Sequence, residues 1–255
     1  MKQLDHLSYS SISCYLDCSL SWKFRYVDEI KTPTAHNLVL GSAWHDMAEA
    51  YAKGETNNLE QAFTESLTRR LAKERVKFTR GATANDIKEK ALDLLQNPDV
   101  RMTLDELRAL TDPTATGNIE RKITLTVPNV PIPVIGYIDI LQKDGIPADL
   151  KTTSSKKGWT LDKAQDEKQP LVYLGALEQA GLEVPDQRFR HYTFNFTTGE
   201  AAVFDVPHTW GQIWRYMDLI QGVWYGIERE VFLPHTGSWK CNPQWCDYWN
   251  ICQEH

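Results

Sequence analysis

Two aspartates and a lysine fall close together in the segment GYIDILQKDGIPADLKT (136–152). Asp149 and Lys151 stand two apart on a predicted strand, so their side chains point to the same face of a sheet. Asp139 lies on the strand before them. Two converging carboxylates suit Mg²⁺ or Mn²⁺, because both metals prefer oxygen ligands. Such a metal polarises a phosphoryl oxygen and activates a bound water, and Lys151 would stabilise the charge that develops.

The turn between the two strands decides whether the aspartates can meet. A two-residue turn at Asp144 and Gly145 would pair position 139 with position 150, which aims Asp139 and Asp149 at opposite faces. A three-residue loop, 143–145, with Gly145 at positive φ pairs position 139 with position 149 instead. We therefore predict the odd-length loop or a compensating bulge.

The alternative interpretation is a surface hairpin whose Asp and Lys are merely solvated. Apolar neighbours favour a half-buried strand pair and therefore a functional role, since a buried charge is costly unless a metal or a partner satisfies it. These neighbours are Ile138, Ile140, Leu141, Ile146 and Leu150.

Hydrophobic periodicity and turn residues predict the elements that position these groups. Helices are predicted over 8–27, 41–54 (capped by Ser42), 58–78, 84–97, 101–110, 161–180 and 208–230. Strands are predicted over 119–127, 134–142, 146–153, 188–196 and 200–206. The fold class is α/β, a small central mixed sheet flanked by helices. We expect one domain over 1–255, with a mainly helical part (1–115), a catalytic core (116–230) and a cysteine-bearing tail (231–255) that packs on the N-terminal helix.

Composition excludes some functions and leaves others open. The chain has 255 residues, and none of its apolar runs reaches the roughly 20 residues that a membrane span needs. The segment MKQLDHLSYS lacks the apolar core of a signal peptide, so a cytosolic protein without a membrane partner is expected. The formal net charge of -6 gives no support to a nucleic-acid partner. It does not exclude one, because binding depends on the local field.

Cysteines occur only near the two ends of the chain, five in all. Cys14 and Cys18 lie near the start, and Cys241, Cys246 and Cys252 lie near the end. Disulfides rarely persist in the cytosol. Four thiolates brought together by packing of the two ends would suit an iron–sulfur cluster or a zinc ion equally well.

Five motifs in order give the chain a resemblance to a known family. The chain resembles the PD-(D/E)xK nuclease superfamily in five segments, which are SYSSISCYLDCSLSWKFRYV (8–27), GSAWHDMAEAY (41–51), GYID (136–139), DLKT (149–152) and QPLVY (169–173). Within it, the chain resembles the RecB-like branch of CRISPR-associated and phage-encoded exonucleases. The resemblance implies a restriction-endonuclease-like core and Mg²⁺- or Mn²⁺-dependent cleavage of DNA phosphodiester bonds.

The resemblance also implies roles for single residues. His45, Asp139 and Asp149 would be metal ligands, with the backbone carbonyl of Leu150 completing the shell, and Lys151 would act on the nucleophilic water.

Three further residues carry supporting roles in the same resemblance. Gln169 and Tyr173, four apart on one helical face, would orient Lys151 or contact DNA phosphate. Glu120 would join as a second-shell or second-metal carboxylate. Glu49, one turn after His45, is a weaker candidate whose alternative is a solvated helix charge.

In the family, one N-terminal and three C-terminal cysteines hold a [4Fe-4S] cluster. Cys18, Cys241, Cys246 and Cys252 match those positions here, with Cys14 as a spare candidate and structural zinc as the alternative. The chain departs from the usual pattern in two ways. Ser19 stands where a proline is common, and the spacing C-x4-C-x5-C has a wider first gap.

Two segments are candidates for DNA contact. The run RRLAKERVKFTR (69–80) holds Arg69, Arg70 and Lys73, which would track phosphates. The equal alternative is a solvated helix face. Lys156, Lys157 and Trp159 follow the catalytic strand, where Trp159 would stack on a base or cap the next helix.

The leading hypothesis is a metal-dependent exonuclease acting on single-stranded or end-frayed DNA in phage recombination, DNA repair or CRISPR adaptation. One alternative is an endonuclease of the same fold. Another is a catalytically idle DNA-binding or scaffold protein stapled by a metal cluster. A homo-oligomer and a recombination or CRISPR-adaptation partner protein fit the first hypothesis, although no residue gives a signature for either.

Overall fold

The computed structural model describes residues 4–79, 81–115 and 117–254. Its helices are α1 (Tyr9–Asp17), α2 (Ser19–Tyr26), α3 (His36–Ala52), α4 (Leu59–Lys73), α5 (Ala84–Leu95), α6 (Pro98–Leu110), α7 (Leu161–Asp166), α8 (Gln169–Gln179), α9 (Trp210–Glu228) and α10 (Trp249–Gln253). Its strands are β1 (Thr34–Ala35), β2 (Val76–Lys77), β3 (Ile119–Leu125), β4 (Val134–Leu141), β5 (Pro147–Thr153), β6 (Arg188–Asn195) and β7 (Ala201–Pro207).

A five-stranded sheet in the order β3-β4-β5-β6-β7 forms the centre of the fold. Strands β5 and β6 run parallel and the other neighbours run antiparallel, so the sheet is mixed. The parallel pair is joined through α7 and α8, as a parallel connection requires a crossover. The prediction of an α/β fold with a mixed sheet flanked by helices is confirmed.

Two apolar cores lie against the sheet. The first joins α3, α4, α5 and α6 to inward-facing residues of β5 and β6 such as Leu150 and Tyr192. The second joins α1, α2, α8 and α9 to residues such as Phe189. Ile138 belongs to the second core and Ile140 to the first, although residues two apart on a regular strand share a face. The regular alternation of side chains between the two faces of the sheet is therefore interrupted in β4 at Asp139.

Several predicted element boundaries were wrong. The helix predicted over 8–27 breaks at Cys18, which has extended backbone (φ -166°, ψ 105°). The helix predicted over 161–180 breaks at Glu167, whose backbone is also extended. Extended residues cannot continue a helical hydrogen-bond ladder. The break at Cys18 places that thiol at the junction of α1 and α2.

Helix α3 begins before the predicted Ser42, and its N-cap is Ala35. Apolar packing of the first two turns, including Val39 and Leu40, extends it. The helix predicted over 58–78 ends at Lys73, because the next residues form β2, which pairs in parallel with β1.

The tail makes direct contacts with α1 and α2. Lys240 Nζ lies 2.7 Å from the carboxylate of Asp17, and Leu20 donates its N–H to the carbonyl of Leu233 at 3.2 Å. The rings of Trp22 and Phe232 stack with centroids 5.7 Å apart. Residues after α9 are therefore held on the N-terminal helices. Across the described residues, every helix is too short or too polar to cross a membrane.

Candidate active site

The loop between β4 and β5 has three residues, 143–145. Gln142 donates its N–H to the carbonyl of Ile146 at 3.1 Å, and Gly145 adopts φ 80°. The pairs Ile140↔Ala148 and Leu141↔Pro147 set the register, which places position 139 across from position 149. The predicted odd-length loop is confirmed, and its reason is that Gly145 supplies the left-handed backbone that such a loop needs.

One row of polar residues crosses the sheet. The pairs Ile119↔Ile140 and Arg121↔Ile138 flank a position where Glu120 lies across from Asp139. On the other side of β5, Asp149 pairs with His191 of β6. Glu120 has φ 49°, a conformation rarely adopted by residues other than glycine. The row thus places three carboxylates on adjacent strands where the regular ladder is interrupted.

Asp139 replaces part of the missing ladder with its side chain. Its Oδ2 accepts a hydrogen bond from the backbone N–H of Leu150 at 2.7 Å and lies 3.6 Å from Nδ1 of His45. Burial and the nearby carboxylate of Asp149 raise the pKa of Asp139 well above its usual range. This is the behaviour of a buried carboxylate that shares a site with a second carboxylate.

Lys151 joins the aspartates to helix α8. Its Nζ lies 2.9 Å from Oδ2 of Asp149 and donates to Oε1 of Gln169 at 2.5 Å. Gln169 in turn donates from Nε2 to the hydroxyl of Tyr173 at 2.5 Å. Burial lowers the pKa of Lys151, but Asp149 more than offsets it, so the pKa is raised and the ammonium is retained. Of the two predicted residues of the QPLVY segment, Gln169 therefore contacts Lys151 directly and Tyr173 contacts Gln169.

Helix α3 brings His45 to the same place. Its side chain is 35% exposed, and burial lowers its pKa even though Asp149 and the carbonyl of Leu150 favour the charged form. A neutral imidazole is the form that can bind a metal. His45, Asp139, Asp149, Leu150 and Lys151 thus converge as the sequence predicted.

Convergence does not amount to an assembled metal site. Within the described ranges, no three His, Cys, Asp or Glu side chains are arranged to hold a metal ion. Both aspartates have protein partners in this structure, since Asp139 accepts a hydrogen bond from the N–H of Leu150 and Asp149 forms an ion pair with Lys151.

The donor chemistry nevertheless fits a hard divalent cation. Carboxylate oxygens, a neutral imidazole and a backbone carbonyl are the available donors. Among the described residues, the buried Oε1 of Glu49 has no hydrogen-bond donor, and its ion pair with Lys53 is long, at 3.8 Å. The buried Oδ2 of Asp149 has Nζ of Lys151 at 2.9 Å as its charged partner. Glu49 therefore offers an oxygen that is short of a partner, which a cation would provide.

A polar groove of about 560 Å³ opens beside these residues, between α3 and the end of β5. Its lining includes Asn37, Ser42, His45, Asp46, Glu49, Arg70, Glu120, Lys151, Thr152, Thr153 and Ser154. From Asn37 to Glu49 the α3 wall extends about 18 Å at 1.5 Å per residue. Burial, together with the charge of Glu120, raises the pKa of Glu49 to about 7 despite the opposing effect of Lys53.

The basic run divides into groups with different surroundings. Arg69 and Arg70 both bind the carboxylate of Asp46, and among the described basic residues of the run only Arg70 lines the groove. Lys73 is exposed at the end of α4. Residue 80 lies outside the described residues. The ion pairs to Asp46 were not predicted, because the partner lies on a different helix, 23 residues before Arg69.

After β5, Lys156 and Lys157 are exposed and Trp159 is half-buried. The Trp159 ring lies 4.4 Å from Nζ of Lys163 and 5.5 Å from the ring of His191. His191 was missed by the sequence analysis. It is fully buried, and neither of its ring nitrogens has a hydrogen-bond partner among the described residues. Burial lowers its pKa to about 4.

The five cysteines line a separate cavity of about 470 Å³ between α1, α2 and the tail. All five are free thiols. Burial raises the pKa of Cys252, and Cys18, Cys246 and Cys241 raise it further by their charge. The four predicted cluster ligands therefore border one cavity, and Cys14 borders it as well. Among the described residues, no three of these thiols are arranged to hold one metal ion.

The family model of the PD-(D/E)XK nuclease superfamily matches residues 6–253. The chain therefore belongs to the PD-(D/E)XK nuclease superfamily. The crystal structure of a putative exonuclease from Eubacterium rectale is similar to this chain, with a TM-score of 0.54 and 12% sequence identity over 88% of this chain and 79% of that one. That similarity shows a shared fold. A comparison with curated proteins finds no match.

Proposed function

We propose that this nuclease is a metal-dependent DNA exonuclease. The observation that supports the proposal best is the convergence of Asp139, Asp149 and Lys151, set by the three-residue loop and by the contact between Asp139 and the N–H of Leu150. Nucleases of this superfamily typically use divalent metals such as Mg²⁺ or Mn²⁺. His45, Asp139, Asp149 and the carbonyl of Leu150 would hold the ion.

When bound, the ion would polarise a phosphoryl oxygen and lower the pKa of a water. The chain's own residues supply orientation. Gln169 fixes the ammonium of Lys151 from one side and Asp149 fixes it from another, so the charge is held in place where negative charge develops. Tyr173 holds the amide of Gln169. Glu120 adds a carboxylate at the groove and would serve as a second-shell or second-metal group.

We assign DNA binding to the groove and to the segment after β5. Arg70 on α4 and Lys156 and Lys157 after β5 supply positive charge, and Trp159 would contact a base. Arg69 and Lys73 do not line the groove, and this proposal gives them no contact with the strand. We propose single-stranded or end-frayed DNA as the substrate of this groove. The name of the Eubacterium rectale protein is the support for exonuclease action. Recombination, repair and CRISPR adaptation remain predicted settings, as do the RecB-like assignment, a homo-oligomer and a protein partner.

We also propose that Cys18, Cys241, Cys246 and Cys252 hold a [4Fe-4S] cluster that clamps the tail to α2. Support comes from their meeting at one cavity. A four-iron cluster is itself several ångströms across, so its ligands stand farther apart than those of a single zinc ion, which binds thiolates at about 2.3 Å. Zinc is the alternative.

One incubation tests the proposed activity. Purified protein is mixed with end-labelled linear DNA or closed circular DNA, with Mn²⁺ or with EDTA. We expect degradation of linear DNA alone, and only with the metal. Nicked circles would instead support the endonuclease alternative. No cleavage of either form by a folded, metal-loaded protein would support the idle DNA-binding alternative.

Asp149→Ala provides the matched control for that incubation. We expect it to abolish cleavage while DNA binding, measured by fluorescence anisotropy, stays within a few-fold of wild type. Cleavage by this variant would show that a contaminant is responsible.

A further inference from the structure

Arg70 stands apart from the other basic residues of α4 because it faces the groove that holds Lys151. Arg70 Nε lies 3.0 Å from Oδ2 of Asp46, and Arg70 Nη2 lies 2.7 Å from Oδ1. This is a bidentate arginine–carboxylate pair, the geometry in which a guanidinium is held most firmly. Asp46 directly follows His45 on α3, so the pair ties Arg70 to the helix that carries the histidine.

The pair leaves part of the guanidinium unused. Arginine has five N–H donors, and Asp46 takes two of them along the Nε–Nη2 edge. The two protons of Nη1 and the second proton of Nη2 remain. One proton from each of these nitrogens forms a second fork, on an edge of the guanidinium that does not face Asp46. Within the described part of the chain, Nη1 of Arg70 forms a long ion pair with Oε1 of Glu74 at 3.8 Å. A second bidentate partner is therefore compatible with the geometry.

Charge counting favours an anion as that partner. Asp46 also binds Arg69 Nη2 at 3.0 Å and accepts a hydrogen bond from the hydroxyl of Ser66. Two guanidinium groups therefore share one carboxylate, and the cluster keeps a positive charge that Glu74 offsets only at the limit of ion-pair distance. The pKa of Asp46 is lowered by these partners, which outweigh its burial, so the carboxylate stays charged.

The groove also has negatively charged residues that an anionic strand must avoid. Glu49 and Glu120 line it together with His45, whereas Asn37, Ser42 and Thr153 offer uncharged donors. A fixed cation on the α4 wall would direct a phosphate to its own side of the groove. A bidentate arginine is suited to phosphate oxygens.

We propose that Arg70, held by Asp46, forms a phosphate subsite for the DNA strand within the groove, at a nucleotide next to the scissile one. This deepens the proposed function and rests on it. Arg70 binds substrate in this proposal, and Asp46 is a positioning residue. Arg69 is the natural control, since it binds the same carboxylate, is 55% exposed and does not line the groove.

The test compares Arg70→Ala with Arg69→Ala in the full chain. Steady-state cleavage of a labelled oligonucleotide with Mn²⁺ gives kcat and KM. Anisotropy in an Asp149→Asn background without metal gives Kd at several salt concentrations. We expect Arg70→Ala to raise KM and Kd about tenfold, as loss of a charged hydrogen-bond pair does, with little change in kcat. The salt slope should fall by roughly 0.7 for single strands or 0.9 for duplex.

Arg69→Ala should change each quantity less than twofold. Arg70→Lys keeps the charge but loses the fork, and we expect an intermediate KM. Asp46→Asn releases Arg70 and should raise KM even though it removes a negative charge. Should Arg70→Ala fail to fold, the kinetics of Arg70→Lys and Asp46→Asn test the proposal.

Equal behaviour of Arg70→Ala and Arg69→Ala, or an unchanged salt slope in a folded Arg70→Ala protein, would overturn the subsite. Cleavage by the wild type together with that result would leave the proposed function intact. Failure of the wild type to cleave DNA would instead remove the proposed function, and the binding measurement would still decide the role of Arg70.

Discussion

The Oδ2 atom of Asp139 accepts a hydrogen bond from the backbone N–H of Leu150 at 2.7 Å. A carboxylate on β4 therefore occupies a place where β4 and β5 would otherwise exchange a backbone hydrogen bond. The strands separate there, and the opening gives His45 from α3 access to Asp139. The site exists because the sheet is interrupted at this row.

Close packing of α3 on β5 should be necessary for activity. A Cβ atom at Gly41 would lie 2.7 Å from Oγ1 of Thr152, so Gly41→Ala makes either the Thr152 side chain or α3 shift. We expect Gly41→Ala to lower kcat at least tenfold, because a displacement of about 1 Å at a reacting geometry has costs of that order. Metal-dependent cleavage of linear DNA measures it.

A second substitution checks the cause. Thr152→Ala removes the clashing hydroxyl, so the double variant Gly41→Ala/Thr152→Ala should recover most of the activity. Failure of the double variant to recover, with Thr152→Ala alone active, would show that the clash is not responsible.

The hydrogen bonds from Lys151 to Gln169 and from Gln169 to Tyr173 should affect turnover more than substrate binding. Gln169→Ala leaves Lys151 without its amide acceptor, and we expect kcat to fall about 10- to 100-fold, the range for a lost charged hydrogen bond. Tyr173→Phe removes only the hydroxyl that holds the amide, so a smaller loss is expected. Steady-state kinetics separate kcat from KM, and a change confined to KM in both variants would indicate DNA contact instead.

Glu49 should destabilise the metal-free protein at neutral pH. Burial raises its pKa to about 7, so the folded state binds the proton more tightly than the unfolded chain does. Stability is then highest below the unfolded pKa of about 4.5 and is lost as pH rises through about 7. Each pKa unit corresponds to about 1.4 kcal/mol, which solvent exposure reduces here to a total of about 1–2 kcal/mol.

The measurement is urea unfolding of Glu49→Gln and wild type in EDTA at pH 4 and pH 8. Glu49→Gln should be the more stable protein at pH 8 by that amount, and the difference should vanish at pH 4. A constant difference across the range would show that the charge is not the cause.

The cysteine cavity should bind a coloured cluster. Protein purified under anaerobic conditions should be brown and should absorb light at about 400 nm, as iron–sulfur proteins do. Cys252→Ser should lose the colour and lower the melting temperature, since the tail is then no longer clamped. Cys14→Ser serves as the control, because Cys14 is the spare candidate, and it should retain both. A colourless wild type with one bound zinc would support the zinc alternative.

Local sequence rules predicted the hairpin of β4 and β5, because its register depends on three consecutive residues, one of them Gly145. The break at Cys18 escaped prediction, since the surrounding residues favour helix and the extended backbone depends on contacts with the tail, such as Ser19 Oγ with Leu233. The pairing of Arg70 with Asp46 joins two helices and has no signal in either. The carboxylate of Asp149 is oriented by its ion pair with Lys151, and the hydrophobic periodicity of the sequence does not predict such an ion pair.

The tail contacts on α2 have a consequence for biosynthesis. Ser19 and Leu233 are separated by 214 positions, so the ribosome needs roughly 10 to 40 seconds to produce the second after the first at 5–20 residues per second. During that interval Trp22 has no Phe232 to stack on. A newly made chain therefore leaves an aromatic surface uncovered late into translation, where a chaperone that recognises apolar side chains would bind it.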